Sequence, residues 1–168
     1  MDDRTGRSRH VERETAVALG GPPGRTFPLF GPIREAEWAE GWSPTMHYRG
    51  DLHNGDSFAV GTGAVFTHPK GDADSHWLLT AWDETESKVE YAVVVPGSWV
   101  CRIVIKVAAS SDGRSCATVR YEYTGLDEEG LALVDDYTQE KHTERIAGWA
   151  RAINHFLATG TRLKAPHD

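Results

Sequence analysis

Two cysteines are all that this chain of 168 residues carries, and no apolar run approaches the roughly 20 residues that a membrane helix needs. The opening MDDRTGRSRH has no apolar stretch, so no secretory leader and no membrane span are expected. Net charge is −7, with Lys and Arg scattered. Phosphate binding needs a concentrated basic surface, so no nucleic-acid partner is expected. Motifs of metal and nucleophile chemistry are also missing. Eight histidines are present, yet none forms His-Glu-x-x-His or His-x-His, and no Cys-x-x-Cys occurs. His68 and His76 flank a predicted hairpin loop, where proximity would be accidental. No Gly-x-Ser-x-Gly elbow occurs. Gly20-Gly21-Pro22-Pro23-Gly24 lacks the Lys and Ser/Thr of a phosphate loop. No metal and no cofactor are expected.

What is present is a change of period. From Asp127 to Gly160 the apolar positions Leu131, Val134, Thr138, His142, Ile146, Trp149, Ile153, Phe156 and Leu157 recur at steps of three and four. That spacing predicts one long helix with a single buried stripe. Before it, from about Thr45 to Leu126, short alternating segments separated by turn residues read as strands. These are Met46 to Asp51, Gly63 to His68, His76 to Asp83, Lys88 to Val95, Trp99 to Ser110 and Arg114 to Leu126. Asp51 to Gly63, rich in Gly, Asn and Asp, reads as a rim loop. Val11 to Leu19 reads as a first strand, with Val11, Arg13, Thr15, Val17 and Leu19 on one side. Phe27-Pro28-Leu29-Phe30 and the stretch from Pro32 to Gly41 read as two short helices.

The last two strands fix their own register. Ser111-Asp112-Gly113 reads as a three-residue turn with Gly in the left-handed position, which sets Ser110 opposite Arg114. Arg102 then faces Glu122 and Val104 faces Arg120 on one side of the hairpin. Ile103 faces Tyr121 and Ile105 faces Val119 on the other. In this register Cys101 opposes Tyr123 and Cys116 opposes Ala108, which places the sulfurs roughly 20 Å or more apart at the rise of a strand. A disulfide needs Cα atoms within about 7 Å. Two free thiols, and hence a reducing cytoplasm, are expected.

Strands closed by one C-terminal helix predict an α+β fold in which a curved antiparallel sheet grips that helix. Such a grip leaves a cavity. Its candidate lining is Phe66, Trp77, Tyr91, Tyr121, Tyr123, His142 and Trp149, taken from inward strand positions and the helical stripe. The tyrosines carry hydroxyls that orient a ligand in a pocket and find backbone partners in a plain core. The six tryptophans suit core and rim packing better than base stacking. His142 is the one candidate acid or base. Desolvation on the stripe would leave it neutral and able to accept a proton, while a packed interior would satisfy it as a structural histidine.

The segments FPLFGPIREAEWAEGWSP (Phe27 to Pro44), GAVFTH (Gly63 to His68), YEYTGLDEEG (Tyr121 to Gly130) and WARAINHFLATG (Trp149 to Gly160) resemble the SRPBCC superfamily, the START, polyketide cyclase and birch-pollen-allergen-like group. The resemblance runs from about Val11 to Gly160. It implies the helix-grip fold: a first strand, two short helices, six more strands, then a long helix, with six or seven strands in one sheet. The expected organisation is a disordered tail over 1–10, one domain over 11–160 and a second tail over 161–168. The superfamily holds lipid carriers, hormone receptors, aromatase/cyclases and oxygenase subunits, so it implies an internal site without assigning a catalytic residue. Two functions remain: binding of a small hydrophobic ligand, lipid or polyketide-like, or a cyclase or dehydratase-like enzyme using the same cavity. An interaction module would need an exposed apolar patch that sequence does not reveal. Oligomeric state has no signature in the chain.

Overall fold

The computed structural model describes residues 8–50, 57–71 and 73–164. One seven-stranded antiparallel sheet runs in the order β1-β7-β6-β5-β4-β3-β2. Its strands are β1 (His10–Leu19), β2 (Thr45–Tyr48), β3 (Val65–Lys70), β4 (Ala73–Asp83), β5 (Lys88–Val95), β6 (Trp99–Ala109) and β7 (Ser115–Gly125). Between β1 and β2 lie a single helical turn, α1 (Pro23–Thr26), and two 3-10 turns, Phe27–Phe30 and Arg34–Glu37. The second expected helix is thus one turn, and Gly41 follows it at φ 76°. The run Gly20 to Gly24 holds a helix start, with Pro23 in the first turn. Parts of three expectations, the tail over 1–10, the loop from Asp51 and the tail over 161–168, fall at 1–7, 51–56 and 165–168, outside the described residues; His10 itself already belongs to β1.

The sheet face follows from the period of two. Every odd residue of β7 from Ser115 to Gly125 is buried and every even one is half-buried. In β1, Val11 and Leu19 are buried, and Arg13, Thr15 and Val17 between them are less exposed than their neighbours. The β6–β7 register is the expected one, with Cys101 opposite Tyr123, Arg102 opposite Glu122 and Ala108 opposite Cys116. Gly113 takes the left-handed position at φ 78°, and Cys101 and Cys116 are free thiols. On the outer face Arg102 bridges Glu90 and Glu122 at 3.1 Å each.

The expected single helix over Asp127 to Gly160 is two: α2 (Glu128–Asp136) and α3 (Gln139–Thr159). Each has its own cap. The Asp127 carboxylate accepts from the Gly130 amide at 2.8 Å, and the Thr138 hydroxyl accepts from the Lys141 amide at 3.2 Å. Asp135 and Asp136 place negative charge at the C-terminal end of α2, where the helix dipole disfavours it. Thr138 therefore sits on the apolar spacing as a cap and is exposed. α2 is seated by backbone contact. A Cβ at Gly130 would lie 1.9 Å from the Ser98 carbonyl oxygen, and one at Gly125 would lie 2.6 Å from Gly130. The glycines of the GLDEEG segment permit that approach. α3 presents His142, Ile146 and Ile153 to the sheet, fully buried. Asn154 ties it to β1, accepting from the Gly20 amide at 2.7 Å. No helix among the described residues is long and apolar enough to cross a membrane.

Candidate functional site

A cavity of about 420 Å³ lies between the inner face of β3–β7, the chain from Glu35 to Trp42, and α3. The size falls within the range of small-molecule sites. The sheet contributes His68, Ser75, Trp77, Tyr91, Val93, Trp99, Cys101, Ile103, Ile105, Tyr121 and Tyr123, and α3 contributes Arg145 and Trp149. The aromatic rings brace one another: Trp42 stacks on His68 at 4.4 Å, meets Trp77 edge-on at 5.3 Å, and Trp77 meets Tyr91 at 5.6 Å. Aromatic pairs in such offset and edge geometries hold their rings in place, so the lining is preformed.

Five of the seven expected lining residues are on the wall: Trp77, Tyr91, Tyr121, Tyr123 and Trp149. Phe66 lies one layer back, fully buried and stacked on Trp77 at 5.3 Å. His142 is also off the wall. It is fully buried, with Nδ1 at 2.7 Å from the Tyr137 hydroxyl and Nε2 at 3.0 Å from the Val119 carbonyl. A carbonyl only accepts, so Nε2 carries the proton and Nδ1 accepts from Tyr137. Desolvation lowers the His142 pKa, which agrees with the neutral state expected for it. With both nitrogens bound inside the protein, it has no free position for a substrate proton. These two bonds are those of the structural histidine that the sequence allowed beside the acid or base.

The polar groups that do reach the cavity differ in how well they are satisfied. The Tyr91 hydroxyl donates to the Phe30 carbonyl at 2.7 Å, the behaviour of a core tyrosine. Tyr123 accepts from Arg145 Nη1 at 3.3 Å. For the Tyr121 hydroxyl no hydrogen-bond partner is found among the described residues. Burial raises the pKa of Tyr91 and Tyr121 well above the usual phenol value and that of Tyr123 to about 12. It pushes the Cys101 thiol up to about 12 as well, so this cysteine is protonated and not a nucleophile near neutrality.

Sequence reasoning missed two groups that the fold brings to the wall. Glu35, in the second 3-10 turn, retains some exposure, and burial of its carboxyl raises the pKa to about 8. No hydrogen bond or ion pair holds that carboxyl among the described residues. Near neutrality it is mostly a neutral acid, able to donate a hydrogen bond. Arg145 is exposed at the edge of the cavity, its guanidinium 5.7 Å from the Tyr121 ring centroid and 5.3 Å from that of Tyr137. Arg145 had a legible signal: it lies three residues after His142 and four before Trp149 on the helical period. Glu35 had none, since only the folded chain places it under the sheet. His68 and His76 sit on adjacent register pairs, opposite Ser75 and Thr67, and so on opposite faces. Among the described residues no cluster of three or more His, Cys, Asp or Glu forms a metal cage.

No protein-family model matches the chain, and no curated protein sequence matches it. Solved structures do. Ara h 8.0201 superposes with a TM-score of 0.61 at 16% identity, over 89% of this chain and 99% of that one. Norcoclaurine synthase from Thalictrum flavum, in complex with dopamine and hydroxybenzaldehyde, gives 0.62 at 10% identity, over 94% and 90%. Major latex-like protein 151 from Panax ginseng gives 0.63 at 14% identity, over 88% and 97%. At these identities the likeness concerns fold. The chain has the helix-grip fold seen in these proteins, an antiparallel sheet with a long C-terminal helix across it.

Proposed function

We propose that this protein binds a small, mainly apolar molecule, lipid or polyketide-like, in the cavity between the sheet and α3. The observation that carries the reading is the preformed, aromatic-walled space of about 420 Å³ with a few convergent polar groups. Trp77, Tyr91, Tyr121, Tyr123 and Trp149 supply the apolar contact, while Phe66 and His142 hold the wall from behind. That a protein of the same fold is seen with dopamine and hydroxybenzaldehyde supports a ligand of this kind. Free Cys101 and Cys116 support a reducing, cytoplasmic setting. The net charge of −7 speaks against nucleic acid as the partner. The test is titration with the neutral fluorophore N-phenyl-1-naphthylamine, together with native mass spectrometry of the protein as purified. One probe per chain, displaceable by extracted apolar compounds, is the expected result. No probe binding and no co-purified molecule would refute the reading.

A second reading, a cyclase or dehydratase-like enzyme, is favoured by one observation: Glu35, a neutral carboxylic acid on the cavity wall. A mostly protonated acid near neutrality is suited to general acid chemistry on a bound carbonyl or hydroxyl. Turnover of a polyketide-like substrate that Glu35→Gln abolishes would establish it. Turnover unaffected by that change would remove Glu35 from the mechanism.

A further inference from the structure

We propose that the ligand is an apolar acid, ionised at neutral pH, and that the Arg145 guanidinium is its anion anchor. The inference rests on the cavity being a ligand site, and it names the chemistry of what enters. Arg145 lies on the lining, yet among the described residues no carboxylate pairs with it. Its one hydrogen-bond acceptor there is the Tyr123 hydroxyl at 3.3 Å. An arginine carries five N–H donors in a rigid fork that matches a carboxylate, so most of its capacity is unspent. The fork is also held in place. Tyr121 and Tyr137 offer ring faces to it at 5.7 and 5.3 Å, which fixes the cation without neutralising it.

The surroundings point the same way. In a chain of net charge −7, the site carries an unbalanced positive group. Glu40 and Lys70, both exposed on the lining, are opposite in sign. The remaining carboxyl, Glu35, is kept mostly neutral near pH 7 by burial, so it does not repel an anion and can donate to one. The Tyr121 hydroxyl, on the same wall, is a second donor. Anchor and donors line a space otherwise walled by Trp, Ile and Val, which suits a mainly apolar molecule carrying an acidic group.

The test uses two probes of one skeleton: N-phenyl-1-naphthylamine, which is neutral, and 8-anilinonaphthalene-1-sulfonate, which adds an anionic group. Arg145→Met should weaken the anionic probe by about 10- to 100-fold, the scale of a charge-assisted contact, and leave the neutral one within about two-fold. Arg145→Lys, keeping charge without the fork, should fall between. Independently of any variant, raising salt should weaken the anionic probe on the wild-type protein and not the neutral one. Equal loss of both probes in the Met variant, or no difference between them with salt, would overturn the anchor while leaving a ligand site in place. Failure of both probes on the wild-type protein would instead overturn the cavity as a ligand site, and the anchor with it.

Discussion

Three residues apart on α3, His142 and Arg145 meet opposite surroundings. His142 faces β7 where the interior is filled, and both ring nitrogens are bound, to Tyr137 and to Val119. Arg145 faces the cavity, and a single tyrosine hydroxyl takes up its donors among the described residues. The same contrast divides the tyrosines. Tyr91 is closed off by the Phe30 carbonyl, while Tyr121 keeps a hydroxyl without a described partner. Buried polar groups that serve packing are satisfied by the protein, because an unmade buried hydrogen bond costs about 1–3 kcal/mol. On the cavity wall, by contrast, the Tyr121 hydroxyl and most of the Arg145 donors are not used by the described residues.

Substitutions on the two sides should separate stability from binding. The largest effect belongs to the packed side. Ile146→Ala removes a fully buried side chain and should cost about 2–5 kcal/mol in urea unfolding. A loss under about 1 kcal/mol would mean that α3 is not seated as described. His142→Ala takes away the acceptor of the Tyr137 hydroxyl and an added donor to the Val119 carbonyl. It should cost about 2–4 kcal/mol, with neutral-probe affinity changed less than three-fold in whatever remains folded, a factor of roughly 0.6 kcal/mol. A variant of full stability that has lost probe binding would return His142 to the site.

The next effect is in pH. Glu35 is raised to about 8 from an ordinary 4.5, so the folded protein binds the extra proton between these values. Stability from this group is complete below about 4.5 and is lost as pH rises towards 8, with a slope of at most about 1.4 kcal/mol per pH unit. His142 acts with the opposite sign. Its pKa is lowered from 6.5, so the stability it supports is present above that value and lost as pH falls below it. Urea midpoints of Glu35→Gln against wild type should therefore diverge in favour of the variant between pH 5 and 8. Parallel midpoints would show that the Glu35 carboxyl is solvated. Smallest of all, Tyr121→Phe should shift stability by less than about 0.5 kcal/mol, in contrast to Tyr137→Phe, which strips His142 of a partner and should cost about 1–3 kcal/mol.

Much of this contrast is invisible before folding, and the reason is physical. The strands, the β6–β7 register and the inward set of β7 follow from local rules: a period of two, and a turn that fixes the pairing. The α3 stripe follows from the helical period. The division at Tyr137–Thr138 does not, because Thr138 keeps the apolar spacing while acting as a cap, so period and cap point to different structures. His142 was legible as inward-facing and neutral, but its role depends on Val119, 23 residues away across the fold. Glu35 gained its character from burial under strands that lie far along the chain. Five of the seven expected lining residues sit on the wall, since inward parity is a local property; whether a hydroxyl there is already bound is not.

The most direct test of a packed side and a receptive side is a crystal structure of the protein with N-phenyl-1-naphthylamine bound. The account predicts one probe between Trp77, Tyr91 and Tyr121, beneath Trp149, with His142 still bound to Tyr137 and Val119. A probe lodged elsewhere, or a cavity closed by these same side chains with no probe in it, would contradict it.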